Sequence, residues 1–329
     1  RNLEGIRSDL SRFLDFSGER ALLLNNADWM GKFSAIGFLR DVGKHFTVNY
    51  MVAKESVRMR MEDREHGLSF TEFSYMLFQA YDFYHLHDRY GCSLQIGGSD
   101  QWGNITAGIE LIRRKQGGEV HGLTFPLMSD SSGKKFGKSE GNAPWLSPRK
   151  TSPYAFYQYF MQKEDADIER FLQVYTVMPR EELAAVVKAH LERPELRTGQ
   201  RALAREVTRL VHGPEATEAV EKASRLLFGE TVEGLTDDVL EAAGRDLPQY
   251  AWTRAGLEEG VTVLALAHAG GLVASKTEGR NLLGQGGLYL NNRRVEAPDR
   301  KVTHSDLLTP HSLLLRAGKK KYLLVKIPG

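Results

Sequence analysis

The sequence predicts an α/β domain, then an α-helical bundle, then a small basic module, and three observations carry that prediction. Over residues 1–150, short apolar runs alternate with longer helical patterns, as expected of strands linked through helices into a largely parallel sheet. Over residues 151–245 the strand signals stop and helical periodicity takes over, most clearly at residues 181–191 and 200–211. The last 69 residues, 261–329, hold eleven Lys and Arg against four Asp and Glu, a net +7 that leaves −5 for the other 260. Clustered Lys and Arg gain by releasing counterions from phosphates, so a basic module on a mildly acidic body predicts a polyanionic partner, with nucleic acid the natural candidate. Residues 246–260, which contain Pro248, Gly256 and Gly260, weaken both periodicities and are expected as a linker.

With 329 residues, 41% hydrophobic and 26% charged, the chain has enough apolar material for a packed core and is neither a disordered nor a fibrous sequence. No apolar run approaches the roughly 18 residues of a membrane span. The opening residues Arg1, Asn2, Leu3 and Glu4 lack the pattern of an export signal, so a cytoplasmic location is expected and a membrane partner is not. A single cysteine, Cys92, excludes an internal disulfide framework and a Cys-rich zinc cluster, and no protein-bound metal is expected. Arg1 leads directly into a helical pattern with Leu3, Ile6, Leu10, Phe13 and Leu14 on one face, so the chain is expected to begin inside an element.

Within the first domain, residues 21–24, 93–96 and 123–127 read as strands. Ser69, Phe70, Thr71 and Glu72 fit a capping box, which predicts a helix from Phe70 to about Arg89. Tyr75, Gln79 and Asp82 stand at i, i+4 and i+7 of that helix and share one face. Such a stripe can simply meet water. Here Phe78, Tyr81, Phe83 and Tyr84 crowd the rest of the circumference, which predicts a buried stripe whose polar groups find partners on a ligand.

Residues 92–96 read as a buried strand, followed by Gly97, Gly98, Ser99 and Asp100 and a helix over about residues 104–113. Strand, glycine turn and helix make a nucleotide-site arrangement. The glycines admit close backbone approach, the helix amino end favours anions, and Asp100 can hold ribose hydroxyls. Alone, the turn also fits an ordinary tight turn. Residues 131–139, with Lys134, Lys135 and Lys138, alone fit an exposed basic loop, and downstream of a nucleotide-like turn they also fit a loop that can close over a polyphosphate and stabilise departing pyrophosphate.

Together these residues resemble the bacterial-type tyrosyl enzymes among the class I aminoacyl-tRNA synthetases. The resemblance spans essentially the whole chain. It rests on residues 46–51 (Phe-Thr-Val-Asn-Tyr-Met), on Ser74 and Tyr75 through Gln79, Ala80, Tyr81, Asp82 and Phe83, on residues 94–104, and on the loop Lys135, Phe136, Gly137, Lys138 and Ser139, a Phe-Gly form of the class I Lys-Met-Ser-Lys-Ser signature. It implies a Rossmann-like catalytic domain whose reaction uses ATP, with Mg2+ carried by the nucleotide, L-tyrosine and tRNA(Tyr). It further implies that Tyr75, Gln79 and Gln95 hold the amino end of tyrosine, Asp82 the phenolic hydroxyl, and Gln101 the reacting carboxylate region. Gly98 and Asp100 would hold the ribose, and Lys135, Lys138 and Ser139 would serve the catalytic loop. A homodimer is implied, with tRNA bridging the subunits; Phe70 and its neighbours fit an interface and fit a buried core position at least as well.

The tail resembles a second family. Leu272, Ser275, Lys276, Arg280 and residues 285–291 look like an S4-type RNA-binding domain, a small α+β fold in which a basic two-helix face and a turn address structured RNA. Ser275, Lys276 and Arg280, with Lys319, Lys320 and Lys321, are the candidate RNA contacts, although the lysine run alone also fits a solvated surface. One departure stands out: the His-x-Gly-His motif of class I enzymes is absent, which predicts that the chain is a carboxyl-terminal portion, inactive alone. A tryptophanyl enzyme is the runner-up, disfavoured by Asp82 and the S4-like tail. A non-catalytic RNA-binding protein leaves the stripe and the lysine loop unexplained, and a nicotinamide oxidoreductase lacks its glycine fingerprint.

Overall fold

The computed structural model describes residues 2–62 (backbone only at Glu55 and Ser56), 67–129, 131, 143–245, 247–318 and 321–327. These fall into two compact units, one of residues 1–7 and 16–143 and the other of residues 8–15 and 144–329. No helix among the described residues is long and apolar enough to cross a membrane.

In the first unit, five short helices, α1 (Asn2–Leu10, which continues into the second unit), α2 (Ala27–Met30), α3 (Ala35–Asp41), α4 (Val48–Val52) and α5 (Glu55–Glu62), precede the long α6 (Phe70–Tyr90). The capping box at Ser69 forms as expected: the Glu72 amide donates to Ser69 Oγ at 3.2 Å, and the Ser69 amide donates to Glu72 Oε2 at 3.0 Å. After α6 come strand β1 (Leu94–Gly98), helix α7 (Trp102–Gln116) and strand β2 (His121–Phe125). β1 and β2 are parallel, from Leu94 opposite His121 to Gly98 opposite Phe125, with α7 as their crossover. Met76, Leu77 and Ala80 of α6 pack with Ala107 and Leu111 of α7 and with Phe38, Val42, Met51 and Val57 in one core. Where α7 packs on α6, Gly108 lies against Phe83. A Cβ there would sit 2.9 Å from the ring, so only glycine lets the two helices approach this far.

Two expectations for this unit need correction. Residues 21–24 form no strand, because among the described residues no neighbouring strand pairs with them. β1 is a strand but not a buried one, with Leu94 and Ile96 48% and 61% exposed. Only one face of the two-stranded sheet is covered: a Cβ on Gly97 or Gly122 would meet Ile105 of α7, whereas Leu94, Ile96, Leu123 and Phe125 alternate to the other side.

The second unit opens with the helices expected over residues 151–245: α8 (Pro153–Met161), α9 (Ile168–Tyr175), α10 (Arg180–Glu192), α11 (Thr198–His212), α12 (Pro214–Leu227) and α13 (Asp237–Ala243). It ends in β3 (Gln249–Ala251), α14 (Arg254–Glu258), α15 (Val263–Ala269), α16 (Lys276–Gly284), β4 (Leu288–Leu290), β5 (Arg293–Arg294), β6 (Ser312–Ala317) and β7 (Lys321–Lys326). The five strands form one sheet in the order β3-β7-β6-β4-β5, in which only the β3–β7 pair is parallel. The stretch 246–260, expected as a linker, instead holds β3 and α14, and Leu257 is buried in the core with Leu266, Leu313 and Val325. Its turn residues hid two short elements whose partners lie far along the chain.

Ala223 and Leu226 of α12 and Leu240 and Ala243 of α13 share a second core with Leu314 and Leu324 of the sheet. The β4–β5 hairpin turns at Asn291 and Asn292, with φ of 50° and 62°, as a two-residue turn requires. Asn292 Nδ2 donates to the backbone oxygens of Leu226 at 2.7 Å and Glu230 at 2.9 Å, tying the hairpin to the end of α12.

His212, at the end of α11, meets the Phe156 ring edge-on at 4.9 Å, and its Nε2 is buried with no hydrogen-bond partner. Burial, aided by the Arg12 guanidinium, lowers its pKa from 6.5 to about 4. The unfolded chain therefore takes up this proton first, and the fold loses stability as pH falls from about 6.5 towards 4. His212→Phe is expected to remove that part of the acid sensitivity. Urea midpoints at pH 7.5 and 4.5 should converge for the variant relative to the parent, and an unchanged gap between the two pH values would count against it.

Candidate active site

The expected stripe on α6 is graded rather than uniformly buried. Tyr75 is 60% exposed, whereas Gln79 and Asp82, further along the helix, are partly buried. The prediction of a wholly buried face therefore fails at its first residue. α6 starts at the surface and enters the core with Met76, Leu77 and Ala80, so the first turns leave Tyr75 at the rim. Tyr75, Asp100 and Asn104 line one cleft of about 230 Å3, which brings the α6 stripe and the glycine turn to the same place.

A chain of side-chain amides joins the two. Asn104 Nδ2, on the first turn of α7, donates to Gln79 Oε1 at 2.9 Å and to Gln101 Oε1 at 3.4 Å, and Gln101 Nε2 donates to Asp100 Oδ2 at 2.9 Å. Gln79, Gln101 and Asp100 are thus held in one network, with Asn104 its branch point. Gly98 packs closely beside it: a Cβ there would lie 2.6 Å from Asp100 Oδ1 and 3.0 Å from Leu127, so a side chain at this position would push the carboxylate aside. Gln95 faces α7 from β1, and its Oε1 is buried without a hydrogen-bond partner. A buried, unpartnered acceptor of this kind suits a ligand donor.

Asp82 lies at the inner end of the stripe. Its Oδ1 accepts from the indole Nε1 of Trp29 at 2.7 Å and its Oδ2 from Asn26 Nδ2 at 3.1 Å. Each carboxylate oxygen keeps a further lone pair for a ligand hydroxyl. Burial raises the Asp82 pKa above 3.8, while the Trp29 and Asn26 bonds and the nearby His85 pull it back down. Because the folded value lies above the unfolded one, this group's favourable contribution to folding is present at low pH and is lost as pH rises through the folded pKa.

Asn26, Trp29 and Asn104 were not singled out from sequence. Asn104 carried a signal, since it stands three residues after Gln101 at a helix start. Nothing local marks Asn26 or Trp29, which lie more than fifty residues before Asp82. Lys135, Lys138 and Ser139 lie outside the described residues, as do Lys319 and Lys320. Ser275, Lys276 and Arg280 are exposed on or beside α16, and Lys321 is exposed at the start of β7. The Ser275 hydroxyl caps α16, accepting from the Glu278 amide at 3.1 Å. Asn291 and Asn292, the turn of the S4-like segment, commit their amide groups to the backbone of Asp306, Leu226 and Glu230. Among the described residues no cluster of three or more His, Cys, Asp or Glu is placed to hold a metal ion.

Trp29→Phe removes the shorter of the two donors to Asp82. The carboxyl midpoint, read by carbon NMR titration, is expected to move further upward, and an unmoved midpoint would show that the indole N–H does not act on this group.

The family model described as tRNA synthetases class I (W and Y) matches residues 1–229, and the one described as the tyrosine–tRNA ligase SYY-like C-terminal domain matches residues 239–325. The tyrosine–tRNA ligase of Anaeromyxobacter dehalogenans is 50% identical over 99% of this chain and 77% of its own length. That of Roseiflexus castenholzii is 46% identical over the same shares. Among solved structures, a C-terminally truncated mitochondrial tyrosyl-tRNA synthetase of Aspergillus nidulans superposes with a TM-score of 0.53 at 31% identity, covering 69% of this chain and 64% of that one.

Proposed function

The chain belongs to the tyrosine–tRNA ligases of the class I aminoacyl-tRNA synthetases, and from that premise we propose how its residues divide the work. The family's reaction has two steps. A carboxylate oxygen of L-tyrosine attacks the α-phosphorus of ATP and displaces pyrophosphate. A ribose hydroxyl of tRNA then attacks the tyrosyl carbonyl and displaces AMP. The residues act by position and charge, with no covalent protein intermediate.

Tyr75, Gln79 and Gln95 receive the amino end of tyrosine, and Gln101 the region of its carboxylate. Gly98 and Asp100 receive the ribose of ATP. Lys135, Lys138 and Ser139 act on the pyrophosphate, whose Mg2+ arrives with the nucleotide. The observation that carries this reading is the amide chain from Gln79 through Asn104 and Gln101 to Asp100, which gives the amino-acid and ribose positions one shared hydrogen-bond network. Ser275, Lys276, Arg280, Lys319, Lys320 and Lys321 contact tRNA(Tyr), a role supported by the net charge of +7 on residues 261–329. The work belongs in the cytoplasm, where these substrates meet.

Asp82 selects tyrosine by accepting its phenolic O–H. Phenylalanine leaves that buried acceptor unpaired, so the missing hydroxyl is strongly penalised. In the polypeptide as its organism makes it, Asp82→Asn is expected to lower the ratio of kcat/KM for tyrosine over phenylalanine in pyrophosphate exchange, and an unchanged ratio would refute the assignment.

The enzyme acts as a homodimer. Support comes from exposed apolar side chains of the first unit, among them Phe70 and Ile36, each 79% exposed, with Leu39 and Val48. Sedimentation equilibrium is expected to return twice the polypeptide mass, and Phe70→Ser to shift the distribution towards single chains. A single-chain mass for the parent at micromolar concentration would reject the dimer.

A further inference from the structure

We propose that His85 is a positioning residue for amino-acid selection, acting through Trp29. This inference rests on the reading of Asp82 as the phenol acceptor. His85 follows Asp82 by three residues on α6, so both side chains leave the same face of the helix. The imidazole and the Trp29 indole are stacked, with ring centres 4.3 Å apart and planes 18° from parallel. The indole is therefore held in two ways: its face rests on His85 and its edge N–H points at Asp82 Oδ1, 2.7 Å away.

The indole is also buried, at 9% exposure, so surrounding packing limits how far it can move, and what His85 adds is the plane on which its face rests. Trp29 stands on α2, a helix of four residues whose N-cap makes no side-chain hydrogen bond. An N–H···O bond weakens steeply when the donor turns away from the acceptor, so the bond to Asp82 is only as constant as the plane of the indole. The His85 ring is itself flanked by Tyr81 and Tyr90, each with its centre 6.3 Å away. Burial and Arg89 keep the imidazole pKa below its ordinary value, so near pH 7 it packs chiefly as a neutral aromatic plate. Removing that plate takes the stacked partner from the indole face and lets the ring plane tilt within its enclosure. Asp82 then loses its shorter donor and the fixed carboxylate orientation on which discrimination between a phenol and a phenyl ring depends.

Pyrophosphate exchange with tyrosine and with phenylalanine, on the polypeptide as its organism makes it, tests this. For His85→Ala the KM for tyrosine is expected to rise about threefold to tenfold, the range a stacked aromatic pair contributes. The KM for ATP and the kcat/KM for phenylalanine should stay unchanged, so that selectivity falls by the same factor. His85→Phe keeps an aromatic plate and is expected to restore selectivity to within about twofold of the parent, whereas His85→Leu, of similar bulk, is not. Retained selectivity in both the Ala and the Leu variants would overturn the proposal, as would a Phe variant no better than the Leu variant. Should the Ala variant fail to fold, the Phe and Leu pair decides alone. Asp82→Asn, run alongside, separates the two levels: if it leaves selectivity intact, the reading of Asp82 fails, and if it lowers selectivity while the His85 variants do not, only the present inference fails.

Discussion

The close crossing of α6 and α7 is the constraint on which the site depends. Phe83 settles against Gly108, and the missing Cβ lets the two helix backbones approach closely enough for Asn104 on one to reach Gln79 on the other. Side-chain amides have short reach, and a hydrogen bond at 2.9 Å tolerates little added separation. A larger residue at position 108 would wedge the helices apart and break this bridge. Packing several residues away from the stripe thus sets the geometry of the polar network.

A second consequence of the same packing is electrostatic. The stripe runs from open solvent at Tyr75 to a partly apolar enclosure at Asp82, so polar groups on one helix face experience different surroundings. The outer end can exchange ligands with water at low cost. The inner carboxyl is tuned by what surrounds it: burial disfavours its charge, and Trp29 and Asn26 give part of that charge back through hydrogen bonds. Such a group is anchored by two donors while each of its oxygens keeps a lone pair.

What was legible in the sequence was local. The capping box at Ser69 and the helical period of residues 70–90 are written in adjacent residues, and α6 begins where they say it should. The glycine turn and the helix after it were equally readable, because the strand run, the two glycines and the helical run follow one another without interruption. Misreadings arose where a partner lies far away. Residues 21–24 have strand composition but no strand to pair with among the described residues, and β3, inside the stretch taken for a linker, exists through pairing with β7 some seventy residues later. Trp29 and Asn26 belong with these cases, since only the fold brings them to Asp82. The basic tail was legible as charge, yet its turn asparagines proved to be bonded to the chain's own backbone.

The core that α12 and α13 share with Leu314 and Leu324 bears on how this polypeptide can be divided. A cut near residue 245 would not release two finished pieces. The helical fragment would retain Ala223, Leu226, Leu240 and Ala243 as a sticky scar, and the severed sheet would carry its matching half in Leu314 and Leu324. Evolution can readily shuffle a bead on a string, but an appendage welded through buried side chains must be inherited together with its mount.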